Sequence, residues 1–418
     1  MLKSVRCVLV GIALVAFMAR LVMRLHSGSA DFWENGYSFY FDLARSIAAG
    51  KGLAFEGESL TAFRVPGYPL FLAAVTLGRH AFFPIVFAQS AVGAASVLCV
   101  GLLSADLFGT TAAVPAATLA AAYPYYVIHD TAMQETSLVT FLTLVAVLLI
   151  IRARREMSPT LAALAGLVLA ADVMTRATVA PFAASAVGWI GWTWQGPLGG
   201  RIRAALVCGA MLVLGLTPWL LRSYKLTGSA RLGTETGYEL WRGNNPRTFS
   251  YYPIRSIDLE TPAAFAALSG QDQAELNALG SNEALRDGWF ARRGLRFIRE
   301  HPWLTAVNGL RKIIAAFSWL PSPRRTLWPT LIQLVSYGPI MILGLLGMLM
   351  NGRRSWREHS VIYSLFLSFM VVTALFFAHT SHRSYLDVYW IAFAGYVLAR
   401  WSGRLTLSTK TETATKEG

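Results

Sequence analysis

The sequence predicts an all-α polytopic membrane protein of about ten transmembrane helices, with a helical first outer loop and a second, larger outer loop. Two observations predict it. Of 418 residues, 55% are hydrophobic and only 14% charged, and apolar runs of roughly 15 to 22 residues recur along the whole chain, near the length that crosses a hydrocarbon core. Lys and Arg residues gather in the short segments between these runs, as they do in cytoplasmic loops. This balance excludes a soluble globular protein and a soluble enzyme on a single anchor.

The first run, 5–25, follows Lys3 and Arg6 without a small-residue cleavage motif and reads as a retained signal anchor. The others are 83–103, 111–126, 137–151, 160–174, 180–194, 204–221, 328–350, 361–377 and 388–399. An additional re-entrant or interfacial helix is expected at 68–77. Cations border these runs on the side assigned to the cytoplasm: Arg152, Arg154 and Arg155, then Arg201 and Arg203, then Arg353, Arg354 and Arg357, and finally Arg400, Arg404, Lys410 and Lys416. Both termini then lie inside.

Residues 1–222 form an N-terminal transmembrane module with the first outer loop at 26–81, and 223–327 form an outer loop region. The amphipathic spacing within 262–317 predicts helices lying on the membrane surface. Residues 328–404 supply the last transmembrane helices, and 405–418 a polar, disordered cytoplasmic tail. The net charge of +14 needs no nucleic-acid partner, because the cations flank spans and suit anionic lipid headgroups. Cys7, Cys99 and Cys208 fall in apolar runs without paired spacing and read as reduced, structural residues.

The same map sends the unusual polar residues to one side of the membrane. The first outer loop carries DFWENGYSFYFDLARSIAAGKGL from Asp31 and TAFRVPGYPLFLA from Thr61. Asp31, Glu34 and Asp42 are its acids; a carboxylate in a partly desolvated cleft can take a proton from an attacking hydroxyl or amine, or each can be a solvated helix acid. Pro66 and Pro69 make a rigid turn, with Gly67 expected to allow sharp curvature, and Arg64 beside it can grip a phosphate or carboxylate bidentately. Asp130 and Glu135 lie in the next outer loop, where Asp130 can instead cap a helix. Arg176, Arg222 and Arg383 are outer-side arginines that can meet a lipid phosphate or snorkel to headgroups. Asn244 and Asn245, in GYELWRGNNP, can bond sugar hydroxyls or simply form a turn. The chain has no Walker A, GxGxxG, HExxH or GxSxG motif, which removes support for a nucleotide motor, a dinucleotide enzyme, a zincin or a serine hydrolase.

On these residues the sequence resembles the GT-C superfamily of polyprenyl-phosphate-sugar-dependent glycosyltransferases, in the branch of protein O-mannosyltransferases and lipid A aminoarabinose transferases. The similar segments are Tyr40-Phe-Asp-Leu-Ala44 with Gly50-Lys-Gly52, Ala62-Phe-Arg-Val-Pro-Gly-Tyr-Pro-Leu-Phe-Leu-Ala73, Ala122-Tyr-Pro124 with Glu135, Thr175-Arg176, Pro218-Trp219 with Arg222, and Gly237 to Pro246, which resembles a signature of bacterial members. One position departs: the family usually has its catalytic acid about four residues before the tyrosine matching Tyr40, and here that position is Gly36.

The resemblance implies an inverting transferase of a bacterial inner membrane, with its site facing the periplasm. It would pass a sugar from a polyprenyl-phosphate carrier to a lipid, glycan or protein acceptor. Glu34 is the first choice of base, ahead of Asp42 and Asp31. Arg64, Arg176, Arg222 and Arg383 would hold the donor phosphate, and Tyr40, Asp130, Glu135, Asn244 and Asn245 the acceptor or sugar. No cofactor is expected; some relatives use a divalent metal, but the branch resembled generally does not. The competing readings are a lipid-linked saccharide flippase or other transporter, which would place ionisable groups in mid-membrane, and a surface polysaccharide polymerase or ligase.

Overall fold

The computed structural model describes residues 2–55 and 60–403; the tail expected at 405–418 lies outside the described residues. In chain order the helices are α1 Leu2–Glu34, α2 Phe39–Ala48, α3 Gly67–Thr76, α4 Phe82–Phe108, α5 Thr110–Ala122, α6 Pro124–His129, α7 Thr136–Glu156, α8 Pro159–Thr175, α9 Ala180–Thr193, α10 Leu198–Thr227, α11 Thr236–Gly243, α12 Glu260–Ala266, α13 Gly270–Ala278, α14 Glu283–Glu300, α15 Pro302–Ala316, α16 Leu327–Leu375 and α17 Ser384–Trp401. Each apolar run falls on a helix. Six helical stretches are long and apolar enough to cross a membrane: Ser4–Glu34, Phe82–Phe108, Thr136–Glu156, Leu198–Thr227, Leu327–Asn351 and Ser355–Leu375. Helices α3, α5 and α8 are shorter and apolar. The protein is an all-α, multi-pass membrane protein.

The core is built where helices lack a polar face. Helix α17 is buried on nearly all sides, as expected of a central helix, and small residues let its neighbours approach. Ala112, Ala113, Ala116, Ala117 and Ala120 line α5 without exposure, and Gly395 of α17 lies so close to Ala116 that a side chain there would collide with its backbone. Close approach of small residues is the usual way membrane helices gain packing energy.

One long-range ion pair and two long-range hydrogen bonds fix the first span. Arg20 Nε lies 2.8 Å from Asp130 Oδ2, with side chains 1% and 4% exposed. Gly93 of α4 makes room for this pair, since a Cβ there would stand 2.6 Å from Arg20 Nε and 2.7 Å from Asp130 Oδ2. One turn along α1, Arg24 donates to Thr131 Oγ1 and the Ile128 carbonyl and pairs with Asp31 at 2.7 Å.

The cations at the end of α7, Arg152, Arg154 and Arg155, lie where α9 ends and α16 breaks. There Arg152 pairs with Asp106 at 2.7 Å and Arg155 with Glu358 at 2.5 Å, close to where α16 breaks at Ser355. At the opposite end α7 begins, α8 and α10 end and α17 begins, so the loops carrying the unusual polar residues share that end. Helices α11 to α15 are joined to it.

Candidate active site

Two extended strips of chain set the centre of the site. Residues 61–63 run beside 233–234, where the Thr234 amide donates to the Ala62 carbonyl at 3.0 Å and Gly233 lies tight against the Phe63 carbonyl. The first residue of α14, Glu283, binds both strips. Its carboxylate accepts the Thr61 hydroxyl, the Ala62 amide at 3.0 Å and the Thr234 hydroxyl at 2.9 Å. Held this way, Arg64 and Glu235 emerge side by side, 3.2 Å apart. The Arg64 guanidinium also faces the rings of Phe39, Phe63 and Tyr40, 5.2, 5.8 and 5.9 Å away, an aromatic setting that favours a cation.

Gly67 serves this site differently from the sharp curvature expected of it. Its φ is not positive. A Cβ at 67 would lie 2.6 Å from the Met174 carbonyl and the Thr175 hydroxyl, so glycine is needed for α3 to start against the end of α8. That contact draws the Arg64 turn toward Arg176, whose guanidinium stands 5.8 Å over the Tyr385 ring.

Around this centre the remaining charges alternate. Glu135, the residue before α7, faces the Tyr40 phenol; burial and then the Glu135 charge raise the Tyr40 pKa well above the usual range, so the phenol keeps its proton. Arg242 of α11 donates to both Glu239 oxygens at 2.9 and 3.0 Å and to Asp258 at 2.5 Å. Burial pushes the Glu235 carboxyl up to about 7; Arg64 pulls it down, and Glu239 and Glu135 push it further up. Burial lowers His379 to about 4 and takes His382 well below the usual histidine range, with Arg176, Arg64 and Arg242 adding to the effect on His382. Both imidazoles are therefore neutral at neutral pH. Tyr37, 55% exposed, sits over these groups with its amide bonded to the Met133 carbonyl at 3.0 Å, and its phenol feels Glu135, Asp258, Arg64 and Arg176.

Of the residues expected at the site, Tyr40, Arg64, Glu135 and Arg176 are thus brought together. Others are placed elsewhere. Asp31 is held by Arg24 and Asn35, Asp42 stands 3.8 Å from Arg45 one turn along α2, and Glu34 is exposed at the last position of α1. Arg222 donates to the Thr61 and Leu53 carbonyls at 2.9 and 3.1 Å and so braces the first loop from behind. Arg383 is 2% exposed, stacked 3.3 Å from the Tyr337 ring and 3.7 Å from Asp387, a position that ties α16 to α17. Asp130 is closed against Arg20. Asn244 and Asn245 are buried, their amides spent on the Leu240, Leu375, Trp241 and Arg242 carbonyls, so they close the end of α11 and dock it onto the end of α16.

Glu235, Glu239, Arg242, Asp258 and His382 belong to the cluster but were not singled out from sequence. Glu239 and Arg242 lie inside the GYELWRGNNP motif, where a Glu and an Arg three residues apart in a helix were the available signal. Among the described residues, no three His, Cys, Asp or Glu side chains converge to hold a metal ion. A polar cavity of about 370 Å³ lies apart from the cluster, between α13 and α14, where Arg293 already pairs with Asp272 and Glu275.

Neither a family sequence model nor a curated protein sequence matches this chain. In three dimensions it is similar to the apo oligosaccharyltransferase of Archaeoglobus fulgidus, with a TM-score of 0.58 and 14% identity over 96% of this chain and 51% of that one. The same organism's oligosaccharyltransferase AglB, in complex with an inhibitory peptide and a dolichol-phosphate, matches with a TM-score of 0.58 and 14% identity over 95% and 50%. ArnT from Cupriavidus metallidurans, bound to undecaprenyl phosphate, has 13% identity and a TM-score of 0.41 over 94% and 77%. The chain spans about half the length of the oligosaccharyltransferase chains it matches. The described helices therefore have the fold of about half of the archaeal oligosaccharyltransferase chain.

Proposed function

We propose that this chain is a membrane-embedded glycosyltransferase that moves a sugar from a polyprenyl-phosphate carrier to an acceptor at the outer face of a bacterial inner membrane. The observation that carries the reading is the cluster itself. In a GT-C fold, Arg64, Glu135, Arg176 and the α11 pair Glu235 and Arg242 come from four separate stretches of chain to one end of the bundle, opposite the cations at the end of α7. The dolichol-phosphate in the AglB complex supports a phosphate-bearing isoprenoid as donor.

Glu135 is our choice of base. Gly36, where the resembled family has its acid, packs directly against Met133, so Glu135 stands two residues from the place that the missing carboxylate would have faced. Glu135 would take the proton of the acceptor's hydroxyl or amine as its lone pair attacks the anomeric carbon. The bond from that carbon to the phosphate oxygen breaks on the opposite face, configuration inverts, and polyprenyl phosphate leaves. Negative charge grows on that phosphate in the transition state, and fixed guanidinium groups are the donors that stabilise it. Arg176 is the arginine of the cluster without a carboxylate partner among the described ion pairs. Arg64 is only partly neutralised, because its partner Glu235 keeps a share of its proton near pH 7. The transport reading gains no support from the charged residues inside the spans: the space beside Arg20 and Asp130 is only about 10 Å³, too small for a solute.

The test is transfer or slow hydrolysis by purified protein in nanodiscs given a panel of polyprenyl-phosphate sugars. Glu135→Gln is expected to lose about 10²- to 10⁴-fold in turnover, as for a lost general base, while Glu34→Gln, Asp31→Asn and Asp42→Asn stay near wild type. Full activity in Glu135→Gln with loss in Glu34→Gln returns the base to the first loop. Binding of none of the donors overturns the function.

A further inference from the structure

Helix α15 has its polarity inside out for water. One cation is turned into the protein: Lys312 is fully buried, its Nζ 3.4 Å from Asn244 Oδ1 and 3.2 Å from the Ala374 carbonyl, while the exposed Arg311 lays its guanidinium 3.9 Å over the Phe249 ring. The opposite face holds Trp303, Val307, Leu310 and Ile314, spaced one helical turn apart and 80%, 39%, 60% and 60% exposed. A contiguous apolar strip of this kind needs a partner.

Its surroundings identify that partner. Gly309 packs on Ala374, so α15 crosses the end of the Ser355–Leu375 span, whose own outward residues Leu367, Val371 and Leu375 are 58%, 47% and 45% exposed. Beyond its C-terminus the strip continues through Trp319 and Leu320 to Leu327, Trp328 and Val335 at the start of the next span. Surfaces lying between two lipid-facing spans, and continuous with both, face lipid. Tryptophan at the ends of such a strip suits the headgroup boundary.

We propose that α15 is an in-plane anchor, seated by its Trp303–Ile314 face in the acyl and headgroup boundary of the leaflet at the site end of the bundle. An amphipathic helix in this position buries its apolar face shallowly in the leaflet. Because Lys312 holds Asn244 from the other face of α15, the leaflet sets the height of the end of α11, and with it Arg242. This inference does not depend on the reaction proposed above.

The experiment uses full-length protein with its three cysteines replaced, reconstituted in nanodiscs of equimolar phosphatidylcholine and phosphatidylglycerol. Nitroxide labels are placed singly at Trp303→Cys, Leu310→Cys and Ile314→Cys, with Asn277→Cys, exposed on α13, as the aqueous reference. The proposal expects collisions with oxygen to rise severalfold and collisions with a water-soluble nickel chelate to fall severalfold at 310 and 314 relative to 277, with 303 between them. Chelate access equal to that at 277 overturns it. Immobilised labels shielded from both reagents overturn it too, because a protein partner or second copy would then cover the face. All labelled positions are exposed, so folding is preserved, and melting of each labelled protein checks this.

Discussion

Asp130 can be an acceptor ligand or a structural lock, and one substitution separates the two. In Asp130→Asn the shape is kept but the charge is lost. Arg20, 1% exposed, is left with neutral acceptors alone, the Ala16 carbonyl at 3.2 Å and the amide oxygen of the new side chain. Removing one partner of a buried pair costs about 3–5 kcal/mol, because the other charge stays desolvated. The double change Arg20→Met with Asp130→Leu removes both charges and should cost far less, since an apolar pair of similar volume often replaces a buried ion pair at little cost. The cycle should therefore show a coupling of about 3 kcal/mol. The assay is unfolding in mild detergent followed by tryptophan fluorescence, with turnover per folded molecule measured in parallel. Asp130→Asn within about 1 kcal/mol of wild type but with a raised KM for acceptor would refute the lock and place Asp130 against substrate.

Two further outcomes follow from the site. Glu235 has a folded pKa of about 7 against an ordinary 4.5, so between those values the folded state binds more protons than the unfolded one. Its burden on stability is greatest above pH 7 and is relieved as pH falls toward 4.5; Glu235→Gln should flatten that dependence, and should also flatten the decline in donor affinity as pH rises through 7, measured by titrating a polyprenyl phosphate. Glu283→Ala should remove three bonds to a carboxylate, each of a kind worth about 1.5–3 kcal/mol. Faster hydrogen exchange at amides 61–63 and 233–235, with little change in α4 and α17, is the expected pattern.

Much of this fold could be read from the sequence, because apolar length and cation placement are local signals. Glu135 and Arg176 could be assigned to a shared end for a related reason: each flanks a span, and the alternation of spans sets its end, while Tyr40 and Arg64 with its proline turn stood out by residue type in the first loop. What could not be read was which charges neutralise one another. Asp130 faces Arg20 across 110 positions, and Asp387 accepts the Tyr123 hydroxyl across 264, pairings that depend on helix rotation rather than on any motif. Asn244 and Asn245 look the same in sequence whether they bind a sugar or close a helix. Only the carbonyls at Leu240 and Leu375, the latter 131 positions away, decide it.

The 110 positions between Arg20 and Asp130 have a consequence for how the chain is made. Ribosomes emit α1 long before α6, so the translocon must receive a span bearing Arg20 before its counter-ion Asp130 is synthesised, whereas Arg24 has Asp31 on the same helix. An arginine near the middle of a span costs about 2.5–3.5 kcal/mol in insertion, which makes α1 a reluctant segment that waits near the membrane edge with its guanidinium groups reaching for water. Arrival of Asp130 and Thr131 then draws it home, so α1 settles only after α6 has been made.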